Sequence, residues 1–268
     1  MTYDPTDGVD ARFESGVLRL TIDRPKAKNA LDDATGQALI AHLVAAGQDE
    51  AVRAILLTGA GDDFCTGSDL AAKNATSDVR PRVGSIQRRL PSTFHRLIPL
   101  MLETQVPIVT VVRGWAAGLG FHMALASDFC LANPSARFWE PFIQRGFTPD
   151  SGGTWLLPRL VGLAKARRLV LLGTEVSGAQ AAEWGLIHAA VPDDELSAAA
   201  DDLLGRLATG PTVALGLAKL LLHTSGSSNL DEQLRNEAFA LELSSRSEDF
   251  REGLSAFREK RDPGFSGR

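Results

Sequence analysis

The spacing of apolar residues predicts an α/β arrangement for residues 1–192 of this 268-residue chain. Short apolar runs rich in β-branched residues predict strands at 17–22, 52–59, 107–114, 128–133 and 186–191. Helical periodicity predicts helices from Asp32 or Asp33 to about Gly47, and at 119–127, 152–161, 163–172 and 178–184. Residues 70–90 are polar and rich in turn formers, which indicates a mobile loop leading into a helix that ends near Gln105.

From Asp193 onward the pattern is helical almost without interruption. Helices are predicted at 194–208, 211–224, 230–245 and 247–260. The chain therefore divides into an α/β core over 1–192 and a helical region over 193–268. The apolar positions Leu215, Leu220, Leu221 and Leu222 either pack into the core of the same chain or contact a neighbouring subunit.

Composition and charge narrow the class of protein. The chain is 44% hydrophobic and 23% charged, which is typical of a globular protein with a large core. Its net charge of −5 provides no basic field for nucleic acid or an anionic membrane surface. No apolar run approaches the roughly 20 residues of a membrane span. The polar first 16 residues do not resemble a targeting peptide, so a cytoplasmic location is expected.

The cysteines and histidines give no sign of metal chemistry. Cys65 and Cys130 lie in apolar surroundings without CxxC spacing, which predicts reduced core residues, although one disulfide would also fit the sequence. The five histidines show no metal-ligand spacing, so no metal is expected.

Two segments follow the same plan of strand, glycine-rich turn and helix start. The first contains "GDDFCTGSDL" and leads to a helix near Asp69; the second contains "RGWAAGLG" and leads to a helix near Leu119. Backbone N–H groups at a helix start have no helical partner, and glycine lets a ligand approach them closely. Two such donors meeting at one point would form an oxyanion hole, worth about 3–4 kcal/mol per donor. Each turn alone is equally consistent with an ordinary capped βα turn.

A dinucleotide site was the other interpretation of the second turn. Gly118 and Gly120 follow a predicted strand, and Glu140 lies about 20 residues further on, as in some nucleotide-binding loops. We expect the connection to the next strand, at Asp128, to be too short for a parallel crossover, which argues against this interpretation.

The segment "GFTPDSGGTWLLPRL" places Asp150 between a proline and a Ser-Gly-Gly turn. Asp150 could cap the helix that carries Trp155. It could also move protons in a pocket, where Phe142, Phe147, Trp155 and Leu156 would surround and desolvate its carboxylate.

Taken together, these motifs resemble those of the crotonase superfamily, also called the enoyl-CoA hydratase/isomerase family. The similar segments are "LTIDRPKAKNALD", "DDFCTGSDL", "VRGWAAGLGFHMALASDFCLA", "GFTPDSGGTWLLPRLVG", "GTEVSGAQAAEWGLIHAAV" and "FREGLSAFREKRDPGF", which together cover nearly all of the chain. The resemblance implies a superhelix of ββα turns with a helical C-terminal trimerisation region, assembled as a homo-trimer or as a hexamer of two trimers.

The resemblance also implies an acyl-CoA thioester as substrate, with coenzyme A entering only as part of it and no separate cofactor. The thioester oxygen would be held by the backbone N–H groups of Ser68 and Leu119. Candidate contacts for the coenzyme A portion are Lys26, Lys28, Cys65, Thr66, Gly67, Asp69, Phe257 and Lys260, the last two reaching a neighbouring subunit.

Departures from the family pattern suggest the subclass. The two glutamates of typical hydratases would fall at His122 and Phe142, and neither is an acid here. Asp150 instead stands where isomerase-type members carry their catalytic aspartate, among them the 1,2-epoxyphenylacetyl-CoA isomerase group. An isomerase acting through an enolate, with Asp150 shuttling the proton, is therefore the leading interpretation.

Two alternatives stay open: a hydratase that uses Asp150 and His122, and a non-catalytic acyl-CoA binding protein. His122 would either assist at the thioester or serve as a hydrogen-bonded core histidine.

Overall fold

The computed structural model describes residues 3–69 and 82–268, and two β-sheets organise them. The strands are β1 Val9–Glu14, β2 Val17–Ile22, β3 Ala54–Gly59, β4 Ile108–Val112, β5 Trp115–Ala117, β6 Phe129–Ala132, β7 Arg137–Trp139, β8 Val176–Ser177 and β9 Ala189–Ala190. A six-stranded sheet has the order β1-β2-β3-β4-β6-β9, and a three-stranded sheet has the order β5-β7-β8. All five predicted strands are confirmed, the last as a two-residue strand.

The described helices alternate with these strands and then continue alone. They are α1 Asp33–Gln48, α2 Ser85–Arg89, α3 Leu97–Glu103, α4 Leu119–Ala126, α5 Gly153–Leu172, α6 Gly178–Glu183, α7 Leu196–Ala208, α8 Thr212–Ser225, α9 Leu230–Ser244 and α10 Glu248–Glu259. The Asp32 side chain caps α1 by accepting from Thr35 N at 2.8 Å. The predicted break between two helices falls at Gly162, which has a non-helical φ of 73° inside α5. The first part of the predicted loop, residues 70–81, lies outside the described residues.

Strand β1 was not predicted because its sequence is largely charged. It pairs antiparallel with β2 along its whole length and buries Val9 and Ala11. An edge strand needs few apolar residues when its partner supplies the hydrogen bonds, so the sequence signal is weak.

The expectation that the connection after β4 is too short for a parallel crossover was wrong. Strands β4 and β6 are parallel neighbours, and residues 113–128 between them carry β5 and α4. Every residue of α4 is buried, so the helix runs through the interior and not over the surface. The crossover therefore fits in a short connection.

Helix α7 packs on the large sheet through an apolar stripe. Leu196, Ala200, Leu204 and Leu207 are buried against β3, β4 and β6. The spacing of four, four and three residues puts them on one helical face. The predicted boundary at residue 193 thus lies just before a helix that covers the core sheet.

Helix α8 is held by polar groups, not by its leucines. Of the two interpretations of Leu215, Leu220, Leu221 and Leu222, packing into the core of this chain is not supported, because none of them is buried; contact with a neighbouring subunit stays a prediction. The buried residues of α8 are Gly216 and Lys219. Lys219 Nζ donates to Asp128 Oδ2 at 2.7 Å and to Val106 O at 3.3 Å, which ties α8 to the ends of β4 and β6.

Within the described ranges, no helix combines the length and the apolar character needed to cross a membrane.

Candidate functional site

The two glycine-rich loops lie side by side and are joined by backbone hydrogen bonds in a short parallel β-ladder. Cys65 N donates to Trp115 O at 2.9 Å, and Ala117 N donates to Cys65 O at 3.0 Å. On the other side, Leu31 and Ser68 form a second parallel bridge. The loops are therefore fixed relative to each other by backbone hydrogen bonds.

Two glycines make this close approach possible. A Cβ on Gly120 would lie 2.2 Å from Cys65 O, and a Cβ on Gly67 would lie 2.9 Å from Ala117 O and 3.5 Å from Leu119 N. Gly67 also has a φ of 93°, which side-chain-bearing residues rarely adopt. The loop of Ser68 thus packs directly against the start of α4.

The N–H groups of Ser68 and Leu119 have no acceptor within the described part of the chain. Leu119 is the first residue of α4, where no helical acceptor exists. The backbone groups on either side of Ser68 are hydrogen-bonded: Gly67 O accepts from Leu31 N, and Asp69 N donates to Leu31 O. Two adjacent loops therefore each present an unpaired backbone donor.

Asp150 is an exposed residue on a cavity of about 500 Å³. The capping interpretation was wrong: Gly152, in the left-handed conformation, occupies the N-cap of α5, and no side chain caps that helix. The predicted apolar enclosure was also wrong for this chain. Phe142 and Leu156 are buried, but Phe147 and Trp155 are 38% and 41% exposed, and the Arg159 guanidinium lies 4.0 Å from the centre of the Trp155 ring.

The cavity is bounded by α3, the loop 150–152 and α8. Its lining residues are His95, Ile98, Pro99, Leu102, Glu103, Asp150, Ser151, Gly152, Trp155, Leu220, His223, Thr224 and Ser227. Burial lowers the pKa of His223, although the nearby Asp128 carboxylate opposes this effect. The wall is mostly apolar, with titratable groups near its edge.

A buried hydrogen-bonded chain leads from the interior to Asp150. His122 Nε2 lies 2.5 Å from Glu140 Oε1, and His122 Nδ1 lies 2.8 Å from Ser151 Oγ. Ser151 Oγ donates to Asp150 Oδ1 at 3.1 Å. His122 and Glu140 are 0% and 1% exposed. The rings of His122 and Phe142 stack with their centroids 5.9 Å apart.

Sequence reasoning missed this hydrogen-bonded chain. His122 is indeed a buried, hydrogen-bonded histidine, but its link to Asp150 was not foreseen. Glu140 was considered only for the dinucleotide alternative, and Ser151 only as a neighbour of Asp150. Residues 18 and 29 positions away from His122 share no periodicity with it, so the sequence carried no signal for their contact.

The candidate coenzyme A contacts fall into two groups. Lys26 and Lys28 are exposed, and Lys28 O accepts from Thr66 N at 3.2 Å, so this basic turn lies beside the loop 65–69. Phe257 and Lys260 lie at the end of α10, outside the cavity lining, and Phe257 is 83% exposed.

Several of the loop 65–69 groups already have partners. The Cys65 backbone is used in the ladder, and burial raises the pKa of its free thiol to about 12. The Asp69 carboxylate lies 3.2 Å from Arg24, so it helps to hold the loop. Cys130 is likewise a free, buried thiol. The described residues contain no cluster of three or more potential metal ligands.

Two backbone donors on adjacent loops are groups that can polarise a carbonyl group, and a carboxylate on an apolar cavity is a group that can transfer protons. The family model for enoyl-CoA hydratase/isomerase matches residues 12–268. The chain belongs to the enoyl-CoA hydratase/isomerase family.

Individual relatives include both reaction types. The chain is 40% identical over 259 residues to the 1,2-epoxyphenylacetyl-CoA isomerase of Escherichia coli, covering 96% of this chain and 98% of the relative. It is 39% identical, with the same coverage, to a Rhodobacter capsulatus protein named "Probable enoyl-CoA hydratase". The solved enoyl-CoA hydratase of Bacillus anthracis superposes with a TM-score of 0.90 at 28% identity, covering 98% of this chain and 100% of that chain. The predicted crotonase-like α/β architecture is confirmed.

Proposed function

We propose that this protein is an acyl-CoA isomerase that works through a thioester enolate. The observation that carries the proposal is Asp150, a carboxylate that borders the cavity while His122 and Phe142 occupy the positions of the two hydratase glutamates. The thioester oxygen would accept from Ser68 N–H and Leu119 N–H.

The proposed isomerisation needs one base and one site that stabilises the negative charge on the thioester oxygen. When two N–H donors hold the thioester oxygen, the α- and γ-protons become more acidic because the enolate charge develops on that oxygen. One carboxylate can remove a proton from one carbon and return it to the other. Addition of water would require a second group to position the water.

The hydratase alternative is supported by the names of several relatives, but the geometry of His122 favours the isomerase. Both ring nitrogens of His122 are already within hydrogen-bonding distance of Glu140 and Ser151, and the side chain is buried. It therefore offers no free nitrogen with which to hold a water beside Asp150. A non-catalytic acyl-CoA binding protein remains the alternative suggested by the loss of both glutamates.

We further propose that Lys26, Lys28 and the loop Cys65–Asp69 bind the coenzyme A portion, and that the protein assembles as a trimer or a hexamer. The first proposal is supported by the contact between the basic turn and the loop. The second is supported by the large apolar side chains exposed on α9 and α10, which include Leu234, Phe239, Leu241, Leu243, Phe250 and Phe257. Phe257 and Lys260 would then approach a ligand of the adjacent subunit.

Asp150→Asn should lower kcat for isomerisation of a 3-enoyl-CoA by about 10²–10⁴-fold, because the amide cannot accept the proton. Coenzyme A binding should be retained. The measurement is double-bond migration, together with deuterium incorporation from heavy water followed by mass spectrometry. Asp194→Asn, at an exposed aspartate away from the cavity, serves as the control.

Other outcomes would decide against the proposal. Formation of 3-hydroxyacyl-CoA from a 2-enoyl-CoA without double-bond migration would establish the hydratase. Tight binding without turnover or deuterium uptake would establish the binding protein. If Glu103→Gln abolished turnover and Asp150→Asn did not, the base would be the other carboxylate on the cavity.

A further inference from the structure

The hydrogen-bonded chain Glu140–His122–Ser151–Asp150 crosses from the interior to the cavity, and three of its four members are buried. Glu140, His122 and Ser151 are 1%, 0% and 4% exposed, whereas Asp150 is exposed. Glu140 Oε2 has no hydrogen-bond partner in the described part of the chain, so His122 is the group that hydrogen-bonds to this buried carboxyl.

Hydrogen counting allows three complete arrangements of this hydrogen-bonded chain. In the first, His122 is an imidazolium: Nε2–H donates to Glu140, Nδ1–H donates to Ser151 Oγ, and the Ser151 hydroxyl donates to Asp150 Oδ1. In the second, His122 is neutral, the Ser151 hydroxyl donates to Nδ1, and Asp150 must carry a proton in order to donate to Ser151 Oγ. In the third, Glu140 carries a proton and donates to Nε2, the neutral His122 donates from Nδ1–H to Ser151 Oγ, and the Ser151 hydroxyl donates to Asp150 Oδ1. Ser151 has one hydroxyl hydrogen, so it cannot donate to both neighbours.

Burial and charge disfavour the second arrangement. An ionised Glu140 beside a neutral imidazole would be a buried charge without a counter-charge, which is costly. In the first arrangement an imidazolium provides that counter-charge at 2.5 Å, and in the third the Glu140 carboxyl is neutral. In both of these arrangements His122 Nδ1–H donates to Ser151 Oγ, and the Ser151 hydroxyl donates to Asp150 Oδ1.

We propose that Glu140, His122 and Ser151 are positioning residues that hold Asp150 as an oriented carboxylate. His122 Nδ1–H then donates to Ser151 Oγ, and Oδ1 of Asp150 is fixed by the Ser151 hydroxyl. Oδ2 is left for the substrate. This inference rests on the proposed function, since it concerns the same carboxylate.

The arrangement also determines the route of the substrate proton. When Asp150 removes a proton from the thioester, the C–H bond breaks, an Oδ2–H bond forms, and the electron pair of the C–H bond enters the enolate. His122 Nδ1 already carries a hydrogen, so Ser151 cannot pass the new proton inward. The proton stays on Asp150 and returns to the γ-carbon, where a C–H bond forms and Asp150 becomes a carboxylate again.

Other titratable groups line the same cavity, so their effects must be distinguished from those of the hydrogen-bonded chain. His95 and Glu103 on the α3 side, and His223 on α8, line the same cavity as Asp150. No ionisable residue other than Glu140 lies within hydrogen-bonding distance of the His122 ring in the described ranges. A readout specific to His122 is therefore required.

The first test is the ¹⁵N NMR spectrum of the histidine rings, with the His122 signals identified by their loss in His122→Asn. The wild-type protein at pH 7 should show a hydrogen on His122 Nδ1, whether or not Nε2 also carries one. A wild-type His122 without a hydrogen on Nδ1 would overturn the proposal. Because this experiment needs no turnover, it distinguishes failure of the inference from failure of the proposed function.

The second test separates positioning from folding. Ser151→Ala should lower kcat at least about tenfold with KM nearly unchanged, as expected for the loss of one hydrogen bond to a charged group. Ser151→Thr keeps a hydroxyl and should recover most of kcat. The control is Ser127→Ala, which removes a hydroxyl outside the hydrogen-bonded chain that donates to Ala124 O at 2.7 Å. Unchanged kcat in Ser151→Ala would contradict the proposal.

The third test follows a deuterium label from the α-carbon of a 3-enoyl-CoA. The wild-type protein should return more label to the γ-carbon than Glu140→Gln does, because without the Glu140 carboxyl His122 can carry its single hydrogen on Nε2, which leaves Nδ1 free to accept the proton through Ser151. Equal label return in the two proteins would rule out the proposed route.

Discussion

Gly152 and Gly153 are adjacent at the start of α5 but are required for different reasons. Gly152 has a φ of 95° and forms the N-cap of the helix. A Cβ on Gly153 would lie 2.1 Å from His122 Nε2, so glycine is needed for the helix start to pack against the imidazole. The Ser-Gly-Gly sequence after Asp150 therefore reflects both a turn and a contact with His122.

Gly153→Ala should destabilise the protein by about 1–3 kcal/mol, because the buried His122 cannot move aside without losing its hydrogen bonds. Urea denaturation provides the measurement. Gly205→Ala is the matched control, since a Cβ there meets no atom within 4 Å inside α7. That control should stabilise the helix by about 0.5–1 kcal/mol. Equal effects in the two variants would show that the His122 contact is unimportant.

His42, on α1, makes stability depend on pH. Burial lowers the pKa of His42 below its ordinary value of 6.5, because the charged imidazolium is desolvated. As the pH falls through this region, the unfolded chain binds a proton before the folded protein does. The free energy of unfolding should therefore decrease on acidification below the ordinary value, and it should recover as the pH rises above it.

Replacing His42 with leucine should reduce this loss between pH 7.5 and pH 5. The pKa of His223 is also lowered, but His223 is present in both proteins, so the difference between the two curves is assigned to His42. Thermal denaturation across the pH range tests this point. Parallel curves for wild type and variant would refute it.

At the scale of elements, α8 shows how a helix can be positioned by an ion pair. Lys219 and Asp128 are 91 residues apart in the chain, and Asp128 Oδ2 also accepts from Ile108 N at 2.8 Å. Gly216 lies against Gln105, where a Cβ would come within 2.8 Å of Gln105 Cβ. The apolar pattern predicted that α8 exists but indicated the wrong buried face, since leucines are usually the buried residues of a helix.

Lys219→Met should cost about 3–5 kcal/mol, because it leaves the Asp128 carboxylate without its buried partner. Burial lowers the pKa of Lys219 despite the favourable contact with Asp128, which indicates how far its ammonium group is desolvated. The comparison is Arg246→Met, which removes an exposed pair with Glu242 and should cost at most about 0.5 kcal/mol. Similar losses in both variants would mean that the buried pair has no special role.

At the scale of the whole molecule, α9 stands out by its exposure. The main apolar core lies in the α/β part, whereas α9 has no buried residue at all. Side chains such as Phe239 and Leu243 are 71% and 60% exposed. Apolar surfaces of this kind are characteristic of interfaces between subunits.

The double variant Phe239→Ser with Leu243→Ser should shift the protein towards the monomer in sedimentation velocity, because it removes apolar contact area from the proposed interface. Phe13→Thr is the control, since Phe13 is an exposed aromatic residue on the edge strand β1. A wild-type protein that sediments as a monomer would refute the assembly proposal.

Local pattern predicted the order of most helices and strands, the two glycine turns and an acid in a turn at Asp150, because these features leave clear sequence signals. The choice of Ser68 and Leu119 as donors, and of Asp150 as a base, came from the family resemblance. It did not predict β5, β7 or β8, which are three residues long or shorter and depend on their neighbours. Nor did it predict the contact of Glu140 with His122, which arises only when β7 and α4 pack together.

The rigid ladder between Cys65 and Ala117 has a consequence for how the family can diversify. The predicted donors belong to the main chain, whereas the cavity wall consists of replaceable side chains such as Pro99, Leu102 and Leu220. If the cavity takes the acyl group of the proposed substrate, evolution or design can reshape its volume by single substitutions in α3 and α8. The backbone donors would be unchanged by such substitutions.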